Sequence, residues 1–402
     1  MPSVALESFD VQGSMKSSTS QTPTGLANLP EALARAYDSP FEAAREQHAQ
    51  GVPVVAIVGN SAPPEYCHAR GAMPLYIRPN PLHSTPLADR YIASESWRMR
   101  SIVDVALSGE LEFARLLVLT RGSEWIYYNL KEIFRRGEGE KLPALHMHDY
   151  VPTHNEEADL YNRDRNRALA ETLDREVGPV REGGWERAAQ LSKRRHSVLS
   201  RLQRLRDEGR VPGAQALRAI GAGYALPAES YLDELEPWLA SLEQSQTISR
   251  ERLLILTAHE LDTPILHDTL EAAGALVVAE DSWWGSRAAG SALEELDDPV
   301  EAVHRRLRRD VSGVTVSPRA VREQWVNERM ARKDIDTVVF YVPSSDLIFG
   351  WDYPKLKARA ESFGLRTLLL NDRLDSEEGR ASLQQKAQDF FGRASDRRGL
   401  TQ

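Results

Sequence analysis

Short, continuous runs of apolar and largely β-branched residues recur along this chain. Each is closed by a turn and followed by a stretch of helical period. They fall at 52–58, 73–77, 115–120 and 142–147, and again at 253–257, 275–279, 337–342 and 367–370. This alternation constrains the fold more than any other feature. A strand that is apolar at every position is buried on both faces, and strands separated by helices pair in parallel with helices covering both sides of the sheet. Between 155 and 244 the runs stop. Ala, Leu, Arg and Glu take over at helical spacing, with breaks near Gly183-Gly184 and Val211-Pro212-Gly213, so three or four helices are expected there. The order is therefore α/β, helical, α/β: two Rossmann-like or flavodoxin-like parallel-sheet domains joined by a helical region. The expected divisions are a flexible arm at 1–28, a first α/β domain at 29–154, the helical region at 155–248, a second α/β domain at 249–395 and a tail at 396–402. Ligands of such sheets bind outside the carboxyl ends of the strands. The turns that matter are therefore 59–64, 120–124, 258–263, 281–287 and 343–350.

The chain has 402 residues and one cysteine, Cys67. Disulfides, CxxC redox pairs and cysteine-rich zinc sites are thereby excluded, and a reducing, cytoplasmic setting is expected. The net charge of −9 argues against nucleic acid as a partner. Two short basic runs, Lys193-Arg194-Arg195 and 305–309, read as solvated helix faces. No apolar run reaches the length of a membrane span, and no secretory signal is expected at the N-terminus. The arm at 1–28 is rich in Ser, Thr, Gln and Pro and too poor in apolar groups to order itself.

Familiar fingerprints are missing. No GxGxxG follows a strand, no GxxxxGK[ST] occurs, and no GxSxG elbow is present. Gly221-Ala222-Gly223 reads as a helix-to-helix turn. His146 and His148, with Asp149 and His154 nearby, would share one face of a strand, as metal ligands do, but no matching carboxylate–histidine partner is identifiable elsewhere in the chain, and a polar strand end is the favoured reading. Cys67, in a helix after Pro64, reads as a packed small hydrophobe rather than a nucleophile. Trp283-Trp284 follows a strand and suits either a ligand cleft or the core.

Several segments, taken in order, resemble one family: the 2-hydroxyacyl-CoA dehydratase and benzoyl-CoA reductase subunits. The first runs from Val55 through Gly59-Asn60-Ser61-Ala62-Pro63-Pro64-Glu65 to Ala69-Arg70-Gly71-Ala72-Met73-Pro74-Leu75. The second is 264–287, with Leu270-Glu271-Ala272-Ala273-Gly274-Ala275 and Gly285-Ser286-Arg287. The third is 336–375, and the final helix with Phe390-Phe391 also fits. The resemblance implies an acyl-CoA thioester substrate in a cleft between the α/β halves and a paralogous partner subunit. It also implies an ATP-dependent activator that delivers an electron to a [4Fe–4S] cluster held by three cysteines.

At the positions where the resemblance places those cysteines, this chain has Ser94-Glu95-Ser96, Arg121-Gly122-Ser123 and Pro343-Ser344-Ser345-Asp346. A hydroxyl is a hard, weak ligand where iron–sulfur clusters take soft thiolates. The expectation is a subunit without its own cluster, bound to a cluster-bearing paralogue that supplies one. Its cleft would offer Ser61 and Glu65 as acid/base or oxyanion groups. Ser96, Arg98, Arg121, Ser123, Ser344 and Ser345 would contact substrate, the arginines pairing with phosphate or carboxylate. Two other readings stay open: a stand-alone acyl-CoA lyase or hydrolase using polar chemistry, and a non-catalytic structural partner.

Overall fold

The structure is a computed structural model that describes residues 28–93, 96–138, 141–259, 261–310, 316–344, 346 and 348–399, with side chains up to 392. Ser345, nearly all of the expected arm at 1–28 and part of the tail at 396–402 lie outside the described residues.

Helices α1 (Glu31–Asp38) and α2 (Pro40–Ala49) lead into the first sheet. There β1 (Val54–Val58), α3 (Glu65–His68), β2 (Met73–Tyr76), α4 (Trp97–Leu107), β3 (Leu116–Thr120), α5 (Glu124–Arg135) and β4 (Ala144–His148) follow in turn. The four strands lie parallel in the order β2-β1-β3-β4. β1 and β3 are buried at every position, as their unbroken apolar sequence requires, whereas the edge strand β4 is only partly covered. The other edge, β2, is capped by the helical region, because the Tyr76 amide donates to the Tyr224 carbonyl at 2.9 Å.

Four helices fill the middle of the chain: α6 (Glu156–Glu176), α7 (Gly184–Asp207), α8 (Gly213–Ala222) and α9 (Ala228–Glu243). Their breaks fall at the glycine and proline positions. α7 packs on α9 and α3, and α8 packs on α1 and on the second sheet. One apolar core consequently runs from Val55, Ile57 and Val118 of the first sheet through Leu199, Leu217 and Leu239 to Trp284 and Val303.

The second sheet repeats the first. β5 (Glu251–Leu256), α10 (Ile265–Ala272), β6 (Ala275–Glu280), α11 (Pro299–Arg309), α12 (Ala320–Met330), β7 (Thr337–Tyr341), α13 (Phe349–Ser362), β8 (Arg366–Leu370) and α14 (Glu377–Gly399) give the parallel order β6-β5-β7-β8. In both sheets the order reverses between the first and third strands, and a crevice opens at the carboxyl end of such a switch point. The β1 exit is drawn tight against β3 by Gly59. Its φ is +92°, and a Cβ there would stand 2.0 Å from Thr120 Oγ1. Among the described residues no helix is long and apolar enough to cross a membrane.

Candidate functional site

A cavity of about 160 Å³ lies where the first half, the helical region and the second half meet, beside the β1 exit. Its most constrained member is Glu65. Two prolines start α3 immediately after the turn from β1 and turn this carboxylate inward, where it is 3% exposed. Arg306 of α11 grips it as a fork, with Nε 2.8 Å from Oε1 and an NH2 contact of 3.1 Å to Oε2. Arg306 also reaches Asp310 at 2.9 Å, and Ser192 of α7 donates to Glu65 Oε1 at 3.3 Å. The NH2 hydrogen bond and the close approach of Nε fix the orientation of the carboxylate.

Around this pair the cavity offers groups with no partner of their own. The Ser61 Oγ is buried without a hydrogen bond. The Arg195 guanidinium lies 5.1 Å from the Tyr224 ring centroid and 5.8 Å from that of Tyr231, and no carboxylate among the described residues pairs with it. His68 also lines the space. Burial, partly opposed by the charge of Glu65, brings its pKa down to about 4, so its ring is neutral near pH 7. One wall is aromatic: Tyr76 stacks on Tyr224 at 4.8 Å, and Tyr224 on Trp283 at 5.1 Å. Of the two tryptophans, Trp283 faces the cavity while Trp284 is 2% exposed in the core.

The loop that carries Trp283 and Arg287 is fixed from beneath. Arg206 of α7 and Glu280 at the end of β6 are both fully buried and ion-paired, with His267 3.6 Å from the carboxylate. Burial works against the charge on Glu280, but Arg206 and His267 outweigh it and hold its carboxyl down to about 2. A Cβ at Gly285 would lie 2.0 Å from Glu280 Oε1, so only glycine lets the loop fold over this pair. Asp281 then binds Arg322 at 2.7 Å and Arg287 at 3.1 Å.

Of the residues singled out from the sequence, Ser61 and Glu65 come together in this cavity, and the others sit elsewhere along the strand exits. Ser96 caps α4, its Oγ accepting from the Met99 amide. Arg98 crosses between the halves to Asp262, with contacts of 3.0 and 2.5 Å. Arg121 is held by Asp149 at 2.6 Å, and Ser123 Oγ donates to the Thr120 carbonyl. Ser344 is exposed at the β7 exit.

The two basic runs are not simply solvated faces, because Arg195 and Arg306 both turn into the cavity. A signal for this existed. Arg195 shares a helical face with Leu191, Val198 and Leu199, and Arg306 shares one with Ala302 and Val303.

His146 and His148 do share a face of β4. His146 Nδ1 meets Thr172 Oγ1 at 2.9 Å, and His148 is completely buried. Among the described residues no group of three or more His, Cys, Asp or Glu is placed to hold a metal ion. A cluster of the kind held by three thiolates does not fit the donors of this chain. Its one thiol, Cys67, is 2% exposed, and burial pushes its pKa up to about 12.

A second hollow, of about 830 Å³, opens at the opposite edge of the second sheet between Glu251, Arg332 and Phe390. It lies at the amino ends of the strands, away from the crevices, and contains none of these groups.

Residues 60–391 match the family described as 2-hydroxyglutaryl-CoA dehydratase, D-component. No curated protein matches the chain. The family match begins in the turn after β1, just before Ser61 and Glu65, and runs into the last helix, taking in β2 to β4, the helical region and the second sheet. The chain therefore belongs to the 2-hydroxyglutaryl-CoA dehydratase D-component family.

Proposed function

We propose that this chain is the cluster-free subunit of a 2-hydroxyacyl-CoA dehydratase-like or benzoyl-CoA reductase-like complex. In this reading it binds and positions an acyl-CoA thioester, and a paralogous partner carries the iron–sulfur cluster that an ATP-dependent activator serves. The observation that carries it is the cavity at the β1 exit. A forked Glu65–Arg306 pair there stands beside an unpartnered Ser61 hydroxyl and an Arg195 without a carboxylate.

The cavity's size supports an acyl end rather than a whole cofactor. About 160 Å³ is well below the ~300 Å³ at which drug-sized sites begin, so the nucleotide of CoA must lie outside. Ser61 Oγ donates to a thioester oxygen, Arg195 supplies positive charge, and the Tyr76–Tyr224–Trp283 wall covers the acyl chain. Glu65, oriented by Arg306, accepts a hydrogen bond from a substrate hydroxyl. The cysteine count supports assigning the cluster to the partner. The same Glu65 also favours one second reading, polar acid/base chemistry on the thioester by this chain alone.

Titration of the full-length protein with butyryl-CoA in a calorimeter tests the first reading. Binding should weaken about tenfold, ~1.4 kcal/mol, in Arg195→Met. Absence of heat with wild-type protein sinks both readings. A tagged chain purified from its source cells should bring down a brown, cysteine-bearing paralogue. A colourless preparation that converts the thioester unaided favours the second reading.

A further inference from the structure

The cavity at the β1 exit holds one charge that the fold leaves unmatched. Its other lining cations have carboxylates: Arg306 is shared by Glu65 and Asp310, and Arg287 meets Asp281, which also binds Arg322. Arg195 has neither a carboxylate nor a hydrogen-bond acceptor among the described residues. Its guanidinium lies over the rings of Tyr224, at 5.1 Å, and Tyr231, at 5.8 Å. Both rings are buried, so they fix where the cation stands.

Two more donors line the same space without an acceptor, the Ser61 hydroxyl and the Trp283 Nε1–H, and both are buried. The cavity's carboxylates, by contrast, are occupied. Ser192 and Arg306 bind Glu65, and Arg306 binds Asp310. Surplus donors beside an unmatched cation complement an anion, and a neutral thioester does not supply one. His68, neutral near pH 7, adds no second positive charge that would favour a dianion. The Tyr76–Tyr224–Trp283 wall complements a hydrocarbon part on that anion. Volume limits its size, because about 160 Å³ is close to the ~150 Å³ of an apolar cavity that takes up benzene.

We propose that the cavity is also a site for free monocarboxylic acids whose hydrocarbon part is no larger than about a benzene ring, and that the bound acid excludes the thioester. The carboxylate sits on Arg195 and Ser61 Oγ, and the hydrocarbon lies on the aromatic wall. The exclusion rests on the acyl-CoA reading above, whereas the acid site itself does not. The two ligands overlap because the carboxylate takes the place of the thioester carbonyl on Ser61. The acid also gains a charge-assisted bond to Arg195 that the neutral thioester lacks. Because such an acid is the hydrolysis product of its own thioester, its accumulation closes the cavity to further acyl-CoA.

Calorimetric titration of the full-length protein with butyrate and, in parallel, with butyramide tests the site. The two have nearly the same shape and differ in charge, so butyrate should bind at least about 10-fold more tightly. Arg195→Met should lower butyrate affinity at least about 10-fold and leave butyramide within about twofold, whereas Arg195→Lys, which keeps the charge, should keep butyrate ahead. The amide control needs no variant, so a misfolded Arg195→Met does not blunt the test. Butyrate should also raise the apparent Kd of butyryl-CoA in proportion to its concentration. Butyrate no tighter than butyramide, inorganic phosphate as tight as butyrate, or butyrate binding unchanged in Arg195→Met overturns the acid site, and butyryl-CoA binding beside any of these results leaves the acyl-CoA reading standing. Butyrate and butyryl-CoA that bind without competing overturn the exclusion. Arg195-dependent butyrate binding with no binding of butyryl-CoA sinks the acyl-CoA reading and leaves the acid site in place.

Discussion

Acidifying this protein from about pH 7.5 to 5 should destabilise it measurably through one side chain, His148. Its ring is fully buried on β4, with neither nitrogen in a well-formed hydrogen bond. Burial, reinforced by His146 and only partly opposed by Asp149 and the backbones of Ser61 and Arg165, drives its pKa from the ordinary 6.5 down to about 3. Between these values the unfolded chain binds a proton that the folded chain refuses. Stability is therefore full above 6.5, falls as pH drops below it, and levels out once the folded ring itself protonates. At pH 5 the difference is about 1.5 pH units below 6.5, or ~2 kcal/mol at ~1.36 kcal/mol per unit. That is a large share of the ~5–15 kcal/mol that holds a typical fold together. Urea unfolding followed by circular dichroism at both pH values gives the loss for wild type, and His148→Phe, which cannot protonate, gives the background. The wild type should lose ~2 kcal/mol more than the variant. Equal losses in the two proteins would refute the claim that His148 is held neutral by burial.

Arg206→Met should cost ~3–5 kcal/mol, because it strands the fully buried Glu280, while Arg206→Met with Glu280→Leu should recover most of the loss in the same unfolding assay. A double variant no more stable than the single one would show that the pair is not the source of the effect. Cys67 should be silent to Ellman's reagent in the folded protein and react fully in denaturant, since its thiol is buried and held protonated. Rapid titration of one thiol in native buffer would contradict its burial.

Much of the architecture was legible in the residue pattern. The unbroken apolar runs specified strands buried on both faces. The helical spacing between them specified parallel connection, and the glycine and proline breaks marked the ends of α7 and α8. Two cavity residues, Ser61 and Glu65, were also legible, because a turn after a parallel strand is where ligands bind. The arginines were not. A helical period reports which face of a helix is buried but not which carboxylate will meet a charge on that face. Glu65 and Arg306 are 241 residues apart, and only the packing of α11 on α6, which also meets α3, makes them a pair. Arg98 and Arg121 were legible as cations near strand exits, but their partners, Asp262 and Asp149, were chosen by the fold.

The sequence by itself determined two facts about chemistry: a two-sheet α/β scaffold, and a single cysteine that denies this chain a three-thiolate cluster of its own. Tertiary structure alone decided which charges are spent on each other and which remain free. Glu65 is bound to Arg306, and Arg98 to Asp262, while Arg195 lines the cavity with no carboxylate paired to it among the described residues. Ion pairing and burial depend on distances of a few ångströms between segments far apart in the chain, and only the packed fold sets those distances.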